Sequence, residues 1–177
     1  MFGNKTKSTL TFFYNTKDMF NDVSLLSSYM TKNLASESGT LMDEFIITDD
    51  EEDMYKECVR QALPNIYETL LKLTSGVDDA FADNVTVNAD EKDGLKRVAG
   101  TYIEFNLKDN KAYNKNVLTL VDATLRDCIK YAILAEFYSI CVNVDLQGIA
   151  QSKYASSMLQ LNQRLFQLKK QIVYSHM

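Results

Sequence analysis

Tryptophan is absent from this chain, and proline and histidine each occur once in 177 residues. The lone histidine, His176, stands second from the end. There it cannot be held as a general base within hydrogen-bond reach of a substrate. No Ser-His-Asp or Cys-His site within one copy is therefore expected. Cysteine is sparse too: Cys58, Cys128 and Cys141 are odd in number, lack CxxC spacing and lie in apolar, helix-like runs. They read as small buried hydrophobes and provide no disulfide framework.

Other chemistry fails for want of spacing. Zinc sites need several Cys or His ligands close together, and none are close here. The acidic run Asp49–Asp53 lacks the glycine and ligand spacing of an EF-hand loop. The glycines at 3, 39, 76, 94, 100 and 148 form no GxGxxG or Walker pattern. Glu51 and Asp122 could meet as paired carboxylates, but no motif places them in a cleft. Glu136, among the apolar neighbours Ala135 and Phe137, is the most unusual acid and reads as the edge of a buried stripe. No catalytic residue, cofactor or metal ligand is expected, and no enzymatic activity.

Long apolar runs are missing as well. The stretch Val117–Val144 is interrupted by Asp122, Arg126, Asp127, Lys130 and Glu136, short of the roughly 20 apolar residues that span a bilayer. Lys5 and Lys7 are not followed by the apolar core of a secretory signal. The expectation is a chain of the cytosolic type, with no membrane partner.

A net charge of −5 argues against general nucleic-acid binding, which needs clustered Lys and Arg. The charge is segregated. Residues 33–55 hold eight acids (Glu37, Asp43, Glu44, Asp49, Asp50, Glu51, Glu52, Asp53) and no base. Residues 146–177 hold four bases (Lys153, Arg164, Lys169, Lys170) and no acid. Such runs are commonly solvated faces. The alternative is complementary surfaces on neighbouring copies, with Lys169, Lys170 and Arg164 meeting Asp49, Asp50 and Glu52.

An apolar fraction of 46% with 24% charged residues fits a folded domain. Phe20, Val23, Leu26, Met30 and Leu34 fall at helical spacing, so residues 16–35 read as a helix capped by Thr16. After a break at Ser36–Gly39, Phe45-Ile46-Ile47 should pin a connecting stretch to the core. Thr48 and Glu51 form a capping-box pattern, and the acids after them suit a helix N-terminus. The second helix carries Met54, Tyr55, Cys58, Val59, Ala62, Ile66, Tyr67, Leu70 and Leu73. Pro64 predicts a kink near Leu63 or two helices meeting there. Ser75-Gly76 ends the segment.

Thr9–Tyr14, Asn84–Asn88 and Thr101–Leu107 have strand character; the latter two read as a hairpin with a long tip over 89–100. A long helix is expected from about Asn116 to Cys141, a turn over Asp145–Gly148, and a last helix over about 150–173. The last helix carries the stripe Ala155, Met158, Leu161, Leu165, Leu168 and Ile172. The fold class is mainly α with a small β-hairpin, a domain of about four long helices. Its parts are an N-terminal arm (1–15), the helical domain (16–173) with the hairpin inserted at about 84–108, and a frayed tail (174–177). Tyr102, Tyr113, Tyr131, Tyr138 and Tyr154 lie partly off the stripes and are candidates for an interface.

This order of elements resembles the head–tail connector (adaptor) proteins of tailed bacteriophages. Three stretches carry the likeness. They are Asp49–Tyr55 leading into the apolar stripe of the second helix, the strand Tyr102–Leu107 ahead of a long helix, and Leu125–Tyr138 followed by Tyr154–Leu165. Ala132-Ile-Leu-Ala-Glu-Phe-Tyr138 is similar to the ILAEW-type segment of such proteins in Bacteroides phages and prophages, with Phe137 where tryptophan is usual. The Arg/Pro-rich ending often found there is replaced by Lys169–Val173.

The resemblance implies a non-enzymatic virion subunit, assembled in the host bacterial cytoplasm. It implies a homo-oligomeric ring, a dodecamer, lying between the portal protein and a tail or second neck protein. DNA passes through without sequence-specific binding, and a net-acidic conduit suits that passage. A tail-completion or terminator subunit and a non-viral helical protein-binding module are the alternatives.

Overall fold

The computed structural model describes residues 2–6, 9–38, 45–71, 85–88, 102–108 and 113–174. Among these lie four helices: α1 (Thr16–Ser38), α2 (Glu52–Leu71), α3 (Lys115–Ile140) and α4 (Val144–Tyr174). Four strands accompany them: β1 (Phe2–Thr6), β2 (Thr9–Asn15), β3 (Val85–Asn88) and β4 (Tyr102–Lys108). The fold is mainly helical with a small β element. The hairpin tip 89–100, the loop glycines 39 and 76, Leu73 and residues 175–177 lie outside the described residues.

The strands form one antiparallel sheet in the order β1-β2-β4-β3. The hairpin expected over 84–108 is present as β3 and β4. Within the segment expected as an N-terminal arm (1–15), β1 and β2 are strands of this sheet. β2 pairs along the whole of β4, with Phe12 opposite Phe105 and Tyr14 opposite Ile103. All four of those side chains are buried. Side chains alternate along a strand, so these same-face residues turn together into the helices.

α3 is the hub: it packs along α4, crosses α2 and touches α1. Helical spacing predicts a stripe of Val117, Leu118, Val121, Leu125, Cys128, Ile129, Ala132, Ala135 and Phe137 or Tyr138; Val117 is half-buried and the rest are buried. Ile133 and Leu134 are buried too. A helix that is apolar nearly all round needs neighbours on several sides, which the hub position supplies. Fully burying each such large side chain favours folding by about 1.5–3 kcal/mol before entropy is counted.

Three local features differ from the sequence expectation. Asn15, rather than Thr16, caps α1: its Oδ1 accepts from the Lys17 and Asp18 amides at 2.9 and 3.2 Å. Strand β2 runs to Asn15, so the side chain at that junction meets the first free helical N–H groups. α2 continues through Pro64 as one helix, so of the two expected outcomes there the meeting of two helices is the one overturned. Pro64 and Arg60, whose carbonyl loses its amide partner there, both lie on the exposed face.

The α3–α4 turn falls at residues 141–143 and not at Asp145–Gly148. The Asn143 amide donates to the Tyr138 carbonyl at 3.0 Å, and the Val142 amide to the Ser139 carbonyl at 3.2 Å. This is a Schellman closure with Val142 in the left-handed position, at φ 55°. Asn143 then caps α4, its Oδ1 accepting from the Leu146 amide at 3.0 Å. Gly148 lies inside α4.

Candidate functional site

The start of α2 gathers Asp49 to Asp53, with Asp49, Asp50 and Asp53 exposed and Glu51 and Glu52 half-buried. Phe45 and Ile46 are half-buried and Ile47 is buried, so the stretch is pinned as expected. α1 holds it with hydroxyls along one face. Ser24 Oγ donates to the Ile47 carbonyl at 2.6 Å, the Ile47 amide donates to Ser27 Oγ at 3.0 Å, and Thr31 Oγ1 donates to the Phe45 carbonyl at 3.3 Å. Three serine and threonine side chains thus take the place of a paired strand.

Thr48 follows, and its amide donates to Glu51 Oε2 at 2.8 Å, as the capping pattern predicts. Asp49, Asp50 and Glu51 form a 3-10 turn that leads into α2. Glu52 and Asp53 share Lys56, at 3.0 and 3.6 Å. That pairing holds the Lys56 ammonium above its ordinary pKa, through the Glu52 hydrogen bond first. Glu52 is therefore engaged within its own helix. Asp49 and Asp50 point outward, exposed.

On α4 the expected bases separate. Lys153 is exposed. Arg164 is turned inward, bonded to the Leu120 carbonyl and the Thr124 hydroxyl of α3. It joins α4 to α3 and is withdrawn from the surface assigned to it. The reason is steric: Leu161, Leu165 and Leu168 bring this side of α4 onto α3, within reach of the Arg164 guanidinium. Lys169 and Lys170 lie in the last turns of α4, and their side chains are outside the described residues. The fold does not bring this end of α4 and the start of α2 into any ion pair among the described residues.

The remaining candidates resolve into packing. Tyr138 is fully buried, which removes it from the interface set. Tyr113, Tyr131 and Tyr154 are half-buried against the core, and the Tyr102 side chain is outside the described residues. Glu136 is half-buried at the stripe edge, as expected, near enough to Cys58 and Tyr154 for its charge to help raise both. Burial above all, then Glu136, pushes the Cys58 thiol up to about 12. Burial also pushes Cys128 up to about 12. Thiols so protonated are poor nucleophiles at neutral pH. Glu51 and Asp122 are occupied by different partners, Thr48 and Tyr14. His176 is outside the described residues.

Among the described residues no three or more His, Cys, Asp or Glu side chains group to hold a metal ion. No described helix is long and apolar enough to cross a membrane. What periodicity did not single out is the exposed apolar set. Leu25 and Tyr29 sit one turn apart on α1, and Leu159 and Phe166 two turns apart on α4. Ile140, Val142 and Val144 crowd the α3–α4 turn. Ala155 is exposed as well, outside the α4 stripe in which it was expected. Leu25 and Tyr29 on α1, and Ala155, Leu159 and Phe166 on α4, lie on the side of each helix away from its buried stripe.

No known protein family, curated protein or solved structure matches the chain.

Proposed function

We propose that this chain is a structural, non-enzymatic subunit of a tailed-phage neck. In this reading it forms a homo-oligomeric ring between the portal and the tail, and DNA passes through the ring. The observation that carries the reading is the order of elements around the segment Ala132–Tyr138. Two helices, a β-hairpin, a long helix and a last helix follow one another as the connector resemblance requires. The segment itself lies in the last third of the hub helix, where Ala132, Ile133, Leu134, Phe137 and Tyr138 are buried. Exposed Asp49 and Asp50 at one site, with Lys153, Lys169 and Lys170 on another element, favour association between copies over a pairing within one.

Exposed pairs contribute only about 0–1 kcal/mol each. Repeated around a ring they would set register and orientation. Such pairs are screened beyond about 8–10 Å at physiological salt. The experiment is native mass measurement of the purified chain across a salt series, with the double variant Lys169→Glu/Lys170→Glu alongside. The expected result is an assembly that weakens with salt and with the charge reversal, while the helical spectrum of the monomer is unchanged. Equal assembly in all conditions would remove the charge component; a monomer throughout would remove the ring.

A further inference from the structure

The sheet has two edges, and both are made by short strands of this same chain. β1 is bonded on one side to β2, and β3 on one side to β4; among the described residues no strand pairs with the outer side of either. An unpaired edge presents a row of N–H and C=O groups that templates pairing with another strand. The polarity of the two edges follows from the topology. Each neighbouring pair in β1-β2-β4-β3 is antiparallel, so β1 and β3 run in opposite directions.

That opposition has a geometric consequence. When a second copy is set beside the first in the same orientation, its β1 lies against the first copy's β3. The two strands are then antiparallel, the hydrogen-bond pattern of the rest of the sheet. Every copy also keeps its helices on the same face of the extended sheet. A twofold arrangement would instead join β1 to β1 or β3 to β3. A same-orientation contact uses different patches on the two copies, the heterologous type that builds rings. The two edges also differ in character. β1 carries Lys5 and a register irregularity between Asn4 and Thr6, whereas β3 (Val-Thr-Val-Asn) has no charge, proline or glycine. Charge and irregularity on an edge restrain pairing, which disfavours β1 against β1. A twofold contact of β3 with β3 would close a dimer, so a ring selects β1 against β3.

We propose that β1 of one copy pairs antiparallel with β3 of the next, continuing the sheet from copy to copy around the assembly. The occupant of each edge is thus a second copy of this chain. This inference rests on the ring reading and names the contact that builds the ring.

The test uses complementary blocks. Gly3→Pro and Asn4→Pro are made singly to block β1, and Val85→Pro and Thr86→Pro singly to block β3. Adjacent residues of a strand direct their N–H groups to opposite sides, so one member of each pair loses only an outward donor. The member with the wild-type helical spectrum and melting temperature is used. Sedimentation and native mass are then read for each blocked variant and for their equimolar mixture. Each variant alone is expected to be a monomer. The mixture is expected to form a 1:1 dimer of twice the 20.2 kDa chain mass, capped at both ends. Either variant dimerising alone, or a mixture that stays monomeric, overturns the proposal.

Amide hydrogen exchange on the unmodified chain provides a second readout that no substitution can confound. Between dilute and concentrated protein, amides in both Phe2–Thr6 and Val85–Asn88 gain protection if the edges pair, and neither segment changes if they do not. Assembly of the unmodified chain without edge protection, and undiminished in both variants, overturns the edge contact and leaves the ring standing. An unmodified chain that is monomeric at every concentration overturns both.

Discussion

The Tyr14 hydroxyl donates to Asp122 Oδ1 at 2.8 Å, joining the end of β2 to the first third of α3 across 108 residues of sequence. One turn further along α3, Arg126 holds Asp22 Oδ2 of α1 through Nε at 2.9 Å and Nη2 at 2.8 Å. Two polar links on α3 therefore set the position of the sheet and of α1. The Tyr14 hydroxyl is on a buried side chain and its link is part-buried, so its loss is felt more than that of the half-exposed ion pair. Tyr14→Phe is expected to lower stability by about 1–3 kcal/mol. Urea unfolding monitored by circular dichroism measures it. An unchanged midpoint would show that the link contributes nothing.

Ser27 is the centre of the hydroxyl clasp on the 45–48 stretch. Its Oγ accepts from the Ile47 amide and donates to the Ser24 carbonyl at 2.7 Å. Ser27→Ala leaves a buried amide without a partner, which costs about 1–3 kcal/mol. Ser27→Ala should also raise hydrogen exchange at the Ile47 amide, while exchange along α4 stays the same. Wild-type exchange at Ile47 would contradict the clasp.

Val142 occupies a left-handed position that disfavours a β-branched residue by about 1–2 kcal/mol. Its side chain is 81% exposed, so little packing is lost on replacement. Val142→Gly is expected to raise stability by about 1 kcal/mol after the greater freedom of glycine in the unfolded chain is counted. Calorimetry reads this as a higher melting temperature; a lower one would mean that Val142 makes contacts the turn depends on.

Alkaline pH should unfold this protein early. Burial pushes the Cys58 and Cys128 thiols and the Tyr138 phenol up to about 12, and the Tyr14 and Tyr55 phenols well above their ordinary value. Each group binds its proton more tightly when folded than when unfolded. The stability this supplies is fully present below the unfolded values, and is lost as pH rises through the folded ones. Stability is expected to be flat near neutrality and to fall above about pH 9. Tyr138→Phe isolates one contributor. The Tyr138 hydroxyl lies beside Thr31 and is buried without a well-directed hydrogen bond among the described residues. The variant should match the wild type at pH 7 and lose less stability at pH 11; an identical alkaline profile would contradict this.

Helix content was legible because four apolar stripes repeat at 3.6 residues, and Thr48 with Glu51 marked a helix start in four letters. The α3–α4 turn was misplaced because Gly148 is the expected turn residue, while Val142, which makes the turn, is among the least suited to it. The N-cap of α1 was displaced by one position, since Asn15 and Thr16 are both capping residues and only the end of β2 decides between them. The sheet order was illegible for another reason. Tyr14 pairs with Ile103, and no local pattern encodes a partner so distant. At the candidate site the acids stayed where charge patterning put them, but Arg164 could not be told from a surface base until α3 was seen beside it.

The ring itself is tested most directly by negative-stain electron microscopy of the purified chain, with native mass spectrometry on the same sample over a range of concentrations. The account predicts closed rings of a single copy number with an open central channel. A monomer or a simple dimer at every concentration would contradict it.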